Sequence, residues 1–378
     1  MKRVLLLIVN DPKYFLSHRL PIAIEAREKG YEVHVASIQS PDAQRIVDLG
    51  FDYHTILLER GGINPLRELS AFWGFVKLLW KLRPNILHLV TTKPVLYGGI
   101  AARVSPVGGV VSAIAGLGSV YVGRDLRSRS LASIINVMYR LALKGKKTRV
   151  IFQNPCDRDL VVQISGIKNT DTVLIKGSGV LMASYPDTPE PSGPLVVTFA
   201  GRFIRDKGVY EFIAAARLLR VNYPNVVFQL VGELDSGNPT SLTEAELDSI
   251  VAEKVVRLLG YQTDMARVFS SSHVVVLPSY REGLPKVLIE AAACARAVVT
   301  TDVPGCRDAI IADKTGLLVP VRDHHALASS IENLLLNDAL RLSMGRAGRE
   351  LAMSEFTIEK VVSIHMGVYE AIASMSER

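Results

Sequence analysis

Two carboxylates eight positions apart, Glu282 and Glu290, frame the stretch YREGLPKVLIEAA (280–292). A strand-like run, HVVVLP (273–278), enters it, and an apolar helical pattern leaves from Pro285. Glu282 therefore sits in a turn and Glu290 on the helix that follows. Backbone amides around Gly283 and Leu284 are expected to point outward at the helix's positive end, which binds phosphate or another anion readily. Glu290 lies roughly 7–8 Å further along the axis. Two carboxylates so spaced can accept hydrogen bonds from the hydroxyls of a sugar and of a ribose. Taken alone, the pair equally fits a helix-end charge and an exposed surface residue. A second stretch, FAGRFIRDKGVYEF (199–212), supplies the opposite charge. Its strand ends at Gly201, Arg202 follows, and Lys207 enters a helix beside Gly208. Arginine as a fork and lysine as a point charge can clamp a diphosphate. Two charges in a turn are also ordinary solvated surface.

The elements that must carry these residues are short apolar runs alternating with helical patterns. VLLLIV (4–9), VHVAS (33–37), ILHLV (86–90), VVSAI (110–114) and RVIFQ (149–153) read as buried strands of a first half. LVVTFAG (195–201), VVFQLVG (226–232), KVVRLLG (254–260), HVVVLP (273–278) and AVVTTD (297–302) repeat the theme. Helical patterns cover 205–222, 285–295 and 324–337. Such alternation predicts an α/β protein with parallel sheets covered by helices on both faces. The proline-rich SYPDTPEPSGP (184–194) reads as a linker between two doubly wound domains. Ligands of such sheets bind beyond the carboxyl ends of the strands, so a cleft between the domains is the expected site.

With 48% apolar and 21% charged residues, the 378-residue chain has the composition of a folded protein. Three scattered cysteines, Cys156, Cys294 and Cys306, argue for reduced thiols and a cytosolic setting. The apolar run of KRVLLLIVND is too short for a secretory signal, and VSPVGGVVSAIAGLGSVYVG (104–123) holds too many glycines for a membrane span. Charge is one-sided: residues 60–149 hold 15 Lys and Arg against only Glu68 and Asp125. That suits an anionic partner. Without interleaved aromatics or a helix-turn-helix or zinc-finger spacing, nucleic acid is disfavoured, and an anionic membrane or a polyphosphate is expected. NPLRELSAFWGFVKLLWKLRP (64–84), with Asn64 as N-cap and Pro65 at the first helical position, holds Trp73 and Trp80. It fits a helix at a lipid interface or one simply covering a sheet.

Arg202 and Lys207 followed by the E-x7-E pair Glu282 and Glu290 resemble the donor site of the GT-B retaining glycosyltransferases of family 4. The match extends through LGYQTDMARVFSSSHVVVLPSYREGLPKVLIEAAACARAVVTTDVPG (259–305), GLLVPVRD (316–323) and RLSMGRAGRE (341–350). In the first half, FLSHRLPIAIEAREKGYEVHVAS (15–37), HLVTTKP (88–94) and AGLGSVY (115–121) resemble a particular branch. That branch transfers N-acetylhexosamines or related sugars to undecaprenyl-diphosphate-linked acceptors.

The resemblance implies a GT-B fold, two Rossmann-like domains facing across a cleft. Residues 1–185 would bind acceptor, 186–356 nucleotide sugar, and 357–378 would form a helix returning to the first domain. It implies that Arg202 and Lys207 neutralise the leaving diphosphate. Glu282 would hold donor-sugar hydroxyls, with Gly283, Leu284 and Pro285 beside it, and Glu290 would bind ribose. Gly201 would line the donor site, and Gly260 and Tyr261 would face the base. Gly116, Leu117 and Gly118 would form the loop where acceptor and donor meet. Thr92, Lys93, His18 and Arg19 would lie on the acceptor side.

The donor is expected to be a UDP-sugar and the acceptor a polyprenyl-diphosphate-linked sugar. Neither cofactor nor metal is expected, and the setting is the inner face of the cytoplasmic membrane. Ala115 stands where many relatives have a polar residue before GLG, so no general base is named. Ala295, Ala297 and Asp308 depart from the pattern as structural variants. Transfer with retention would then rely on stabilised charge at the diphosphate.

Three lookalikes are set aside. DRD (157–159) sits at a helix start, where acidic residues are dipole partners. GLGSVY lacks the rest of a dinucleotide fingerprint. The eight histidines show no ligand spacing, and His324–His325 read as a solvated helix start. A UDP-N-acetylglucosamine 2-epimerase shares the expected architecture, though the E-x7-E spacing argues against it. A non-catalytic nucleotide-sugar sensor is the third class.

Overall fold

The computed structural model describes residues 3–58, 65–117, 126–145, 147–235 and 237–376. The chain divides into two compact units, one of Met1–Ser178 with Glu359–Arg378 and one of Gly179–Ile358.

The first unit is a parallel sheet of β1 (Val4–Ile8), β2 (Glu32–Ser37), β3 (Asp52–Thr55), β4 (Ile86–Val90), β5 (Gly109–Ile114), β6 (Thr148–Phe152) and β7 (Thr172–Leu174), ordered β3-β2-β1-β4-β5-β6-β7. The second holds β8 (Val196–Ala200), β9 (Val227–Val231), β10 (Arg257–Gly260), β11 (Val274–Leu277), β12 (Ala297–Thr301) and β13 (Gly316–Val319), ordered β10-β9-β8-β11-β12-β13. Each unit is thus Rossmann-like and doubly wound. In each, strand order reverses beside the first strand, between β1 and β4 and between β8 and β11. Ligands of open parallel sheets bind at such reversal points.

All ten apolar runs read from sequence are strands here, though β10 starts at Arg257 rather than Lys254. The three strands left unread, β3, β7 and β13, are all sheet edges. Their residues are mostly exposed or half-buried, so the continuous apolar run of a central parallel strand is missing. The helix expected over 205–222 is interrupted. A 3-10 turn, Arg205–Lys207, precedes the helix Val209–Asn222. Gly208 separates them at φ +73, where a Cβ would stand 2.1 Å from the Pro278 carbonyl oxygen. Pro285 does not open its helix either. It caps the helix Lys286–Ala293 in an extended conformation (φ −73, ψ 121).

Asn154 caps the helix Pro155–Ser165 by accepting from the Asp157 amide, and Asp157 is fully buried. The DRD acidic pair therefore belongs to a helix start. His324 opens the helix His324–Leu336, which Asp323 caps. Asn64 lies outside the described residues; the helix there runs Pro65–Leu82. The last helix, Ile358–Ser376, sends Val361, Met366, Tyr369 and Ile372 into the first unit's core against Leu5, Leu7 and Ile86. No helix among the described residues is long and apolar enough to cross a membrane.

Candidate active site

The reversal point of the second unit gathers the charged residues singled out in sequence. The segment after β8 carries Gly201, Arg202 and Lys207, and the segment after β11 carries Glu282 through Pro285. Lys207 and Glu282, 75 positions apart, form a largely buried ion pair between Nζ and Oε1. Arg202 is half exposed and pairs with the half-buried Asp235. Backbone bonds fix both segments: the Tyr280 amide donates to the Asp206 carbonyl (2.8 Å) and the Glu282 amide to the Pro304 carbonyl (3.1 Å). Gly305, at φ +83, completes the cradle, since a Cβ there would meet the Glu282 carbonyl at 2.4 Å. Asp308 accepts from the Gly305 amide (2.8 Å), which gives the shorter acidic residue its structural task.

Electrostatics follow from this packing. Burial raises the Asp206 carboxyl above the usual range, and it pushes the Cys306 thiol up to about 12, with the Glu282 charge adding to it. Gly283, Leu284 and Pro285 are buried beside Glu282.

Glu290 is not an exposed helix residue. It is only 5% exposed, accepts from the Tyr185 hydroxyl (2.5 Å) and pairs with Lys286 (3.3 Å). Burial and the Glu290 charge raise the Tyr185 phenol. Tyr185 lies in the segment that read as the start of a linker, and no local pattern marked it. Gly260 ends β10 at φ +67, followed by the exposed Tyr261, and its carbonyl accepts from the Gly232 amide (2.9 Å).

The first unit's reversal point looks different. Thr92 and Lys93 begin the helix Thr92–Ala101 after β4, but Lys93 pairs with Glu68 (2.7 Å), which also accepts from the Tyr97 hydroxyl. His18 stacks on Tyr14 at 4.3 Å and shares a 2.6 Å hydrogen bond with Ser17. Arg19 is 2% exposed, and its Nε has no partner among the described residues. Its charge acts on buried His88 and His365: burial and Arg19 hold His365 down to about 3, and burial lowers His88 too. Gly116 follows β5 at φ +119 beside the buried Leu117, and Gly118 lies outside the described residues.

Two residues here escaped the sequence reading. Asn10, after β1, and Thr91, after β4, each hold a buried side-chain oxygen without a partner among the described residues. Thr91 also adopts φ 74, ψ 167, a region that belongs almost wholly to glycine. Backbone strain and unpaired buried polar atoms concentrate at functional positions. Only the TTKP run adjoining Thr91 hinted at it.

One expectation is corrected. Histidines without a ligand spacing in sequence do meet in space: His34 lies beside Glu32 and beside Asp52, its partner in the parallel register, and shares a 3.0 Å hydrogen bond with His54.

Residues 184–351 match the family model of glycosyl transferases group 1, and residues 3–154 match glycosyl transferase 4-like. The chain is 28% identical to an N,N'-diacetylbacillosaminyl-diphospho-undecaprenol alpha-1,3-N-acetylgalactosaminyltransferase of Campylobacter jejuni, over 90% of this chain and 93% of the relative. It is 23% identical to the capsular polysaccharide biosynthesis glycosyltransferase CapM of Staphylococcus aureus, over 93% of both. Among solved structures, Anabaena Alr3699/HepE in complex with UDP and glucose aligns with TM-score 0.78 and 17% identity, over 98% of this chain and all of that one. A sucrose-phosphate synthase of Thermosynechococcus elongatus aligns with TM-score 0.79 and 21% identity, over 99% and 100%. The fold is GT-B.

Proposed function

Because the chain belongs to the glycosyltransferases, its halves matching the 4-like and group 1 families, we propose that it transfers an N-acetylhexosamine, with retention, from a UDP-sugar to a polyprenyl-diphosphate-linked sugar. The observation that carries this reading is the Lys207–Glu282 pair bridging the two segments at the second unit's reversal point. There Lys207 and Arg202 take up charge on the departing diphosphate, and Glu282 turns to the donor sugar's hydroxyls. Lys207 exchanges one anionic partner for another, so its positive charge is already oriented before the donor arrives. Glu290, held by Tyr185 and Lys286, has the acceptor oxygens a ribose needs. The acceptor hydroxyl attacks on the leaving group's face and passes its proton to the departing phosphate oxygen, which requires neither a protein nucleophile nor a metal. The acceptor class comes from the Campylobacter relative, whose name specifies a diphospho-undecaprenol-linked sugar.

Peripheral attachment to the inner face of the cytoplasmic membrane belongs to the same reading. On the helix Pro65–Leu82, the residues Leu66, Leu69, Trp73 and Trp80 are exposed, and on Leu126–Leu143 so are Ile134, Val137 and Leu141. The two faces adjoin: Trp80 donates to the Val104 carbonyl (3.0 Å), and neighbouring Arg103 donates to the Leu141 carbonyl. Arg67, Lys77, Lys81, Arg83, Arg103, Arg140 and Lys144 are exposed around them, while Glu68 is turned inward to Lys93. Apolar residues rimmed by cations fit an anionic phospholipid surface. Binding to anionic vesicles is expected to weaken steeply with salt and to fall in Trp73→Ala/Trp80→Ala. Salt-independent or absent binding would remove the lipid surface from the proposal.

The deciding experiment measures UDP release from a panel of UDP-sugars, with and without a detergent-solubilised polyprenyl-diphosphate sugar. Acceptor-dependent release from one donor supports the transferase. Sugar interconversion without acceptor would point to a 2-epimerase, and tight donor binding without turnover to a sensor.

A further inference from the structure

Strand alternation places Glu32 and His34 on one face of β2, and parallel pairing sets Asp52 and His54 of the edge strand β3 beside them. His34 is 7% exposed, and both its ring nitrogens are engaged. Its Nε2 lies 3.2 Å from Glu32 Oε1, while its Nδ1 faces His54 Nε2 at 3.0 Å and Asp52 Oδ2 at 3.8 Å. With Nε2–H donated to Glu32, Nδ1 presents a lone pair toward two further ligand atoms. A carboxylate behind a histidine is the arrangement that orients metal-bound imidazoles. Bonds of about 2.0–2.1 Å to a tetrahedral zinc ion set ligand atoms about 3.3 Å apart, a value bracketed by the 3.0 Å and 3.8 Å spacings at His34 Nδ1.

We propose that His34, His54 and Asp52, with Glu32 behind His34, bind a zinc-class divalent ion on the open edge of the first unit's sheet. Two imidazoles and a carboxylate suit Zn²⁺ rather than Mg²⁺. Glu32 is the first residue of β2, so the site lies toward the amino ends of the strands, away from the reversal point. Its role is to tie the edge strand β3 to the sheet and not to take part in transfer.

The test uses the full chain stripped of metal by chelation. Calorimetric titration with Zn²⁺, with Mg²⁺ as control, is expected to show one zinc per chain and a raised Tm, and Co²⁺ is expected to give tetrahedral visible absorption. His54→Ala, at a half-buried position, should abolish the Co²⁺ signal, and Glu32→Gln should weaken zinc about 10–100-fold. Circular dichroism checks that each variant is folded. No zinc binding by the wild type, or equal affinity in a folded His54→Ala variant, overturns the proposal. UDP release unchanged by chelator is expected; its loss would overturn the edge-strand role.

Discussion

The two units share one topology and arm it differently. At the reversal between β8 and β11, the second unit sets full charges against each other: Lys207 with Glu282, and Arg202 with Asp235. At the reversal between β1 and β4, the first unit offers neutral oxygens without partners among the described residues, Asn10 and Thr91, while buried Arg19 acts on His88 and His365. A charged site is suited to a diphosphate whose charge grows during reaction, and a neutral polar site to hydroxyls. The contrast teaches that chemistry here resides in which side chains the loops carry, since the sheets beneath them are alike.

The largest effect is expected from breaking the charged side. Lys207→Ala should lower turnover by about 10²–10³, the scale for losing one preorganised donor at a developing charge. Arg202→Ala should fall short of it, because Arg202 is half exposed. Near-normal turnover in both variants would end the diphosphate role.

Acid sharpens the comparison next. His273 in the second unit is bonded through both ring nitrogens, to the Val196 amide and the Pro191 carbonyl, whereas His88 and His365 in the first each leave Nε2 without a partner among the described residues. His365 sits at about 3 when folded, below its ordinary value of about 6.5. The unfolded chain therefore takes up this proton first. The stability it contributes is present above about pH 6.5 and is lost as pH falls toward 3, by up to about 1.4 kcal/mol per pH unit. Hydrogen exchange followed against pH should show the first unit losing protection before the second, and His365→Phe should flatten that dependence. Earlier loss in the second unit would contradict it.

A smaller effect tests the neutral side. Thr91→Gly should relieve the backbone strain and raise Tm slightly, while raising the acceptor KM about tenfold through one lost hydrogen bond. Donor KM should stay constant. A change in donor KM with acceptor KM intact would show that the two reversal points had been assigned the wrong way round.

Much of the second unit's candidate site was legible because its residues are local: E-x7-E spans one turn and the helix it feeds. What sequence missed there is the buried partner Tyr185, 105 positions from Glu290. In the first unit less was legible. Arg19 stood out in sequence, but its charge acts on His88 of β4 and His365 of the last helix, far away in the chain, and neither the strained φ of Thr91 nor the unpartnered oxygens of Asn10 and Thr91 among the described residues leave a mark on composition or spacing.

The sequence by itself determined the alternation of central strands and helices, the division into two doubly wound halves, and the one-sided basic charge. Periodicity and composition are local quantities, and central parallel strands are apolar throughout because both their faces are covered. Tertiary structure alone decided that Glu290 is buried, that Lys207 meets Glu282, and that His34 and His54 share an edge. Those facts depend on strand order and packing, which join residues 20 to 105 positions apart only once each unit is assembled.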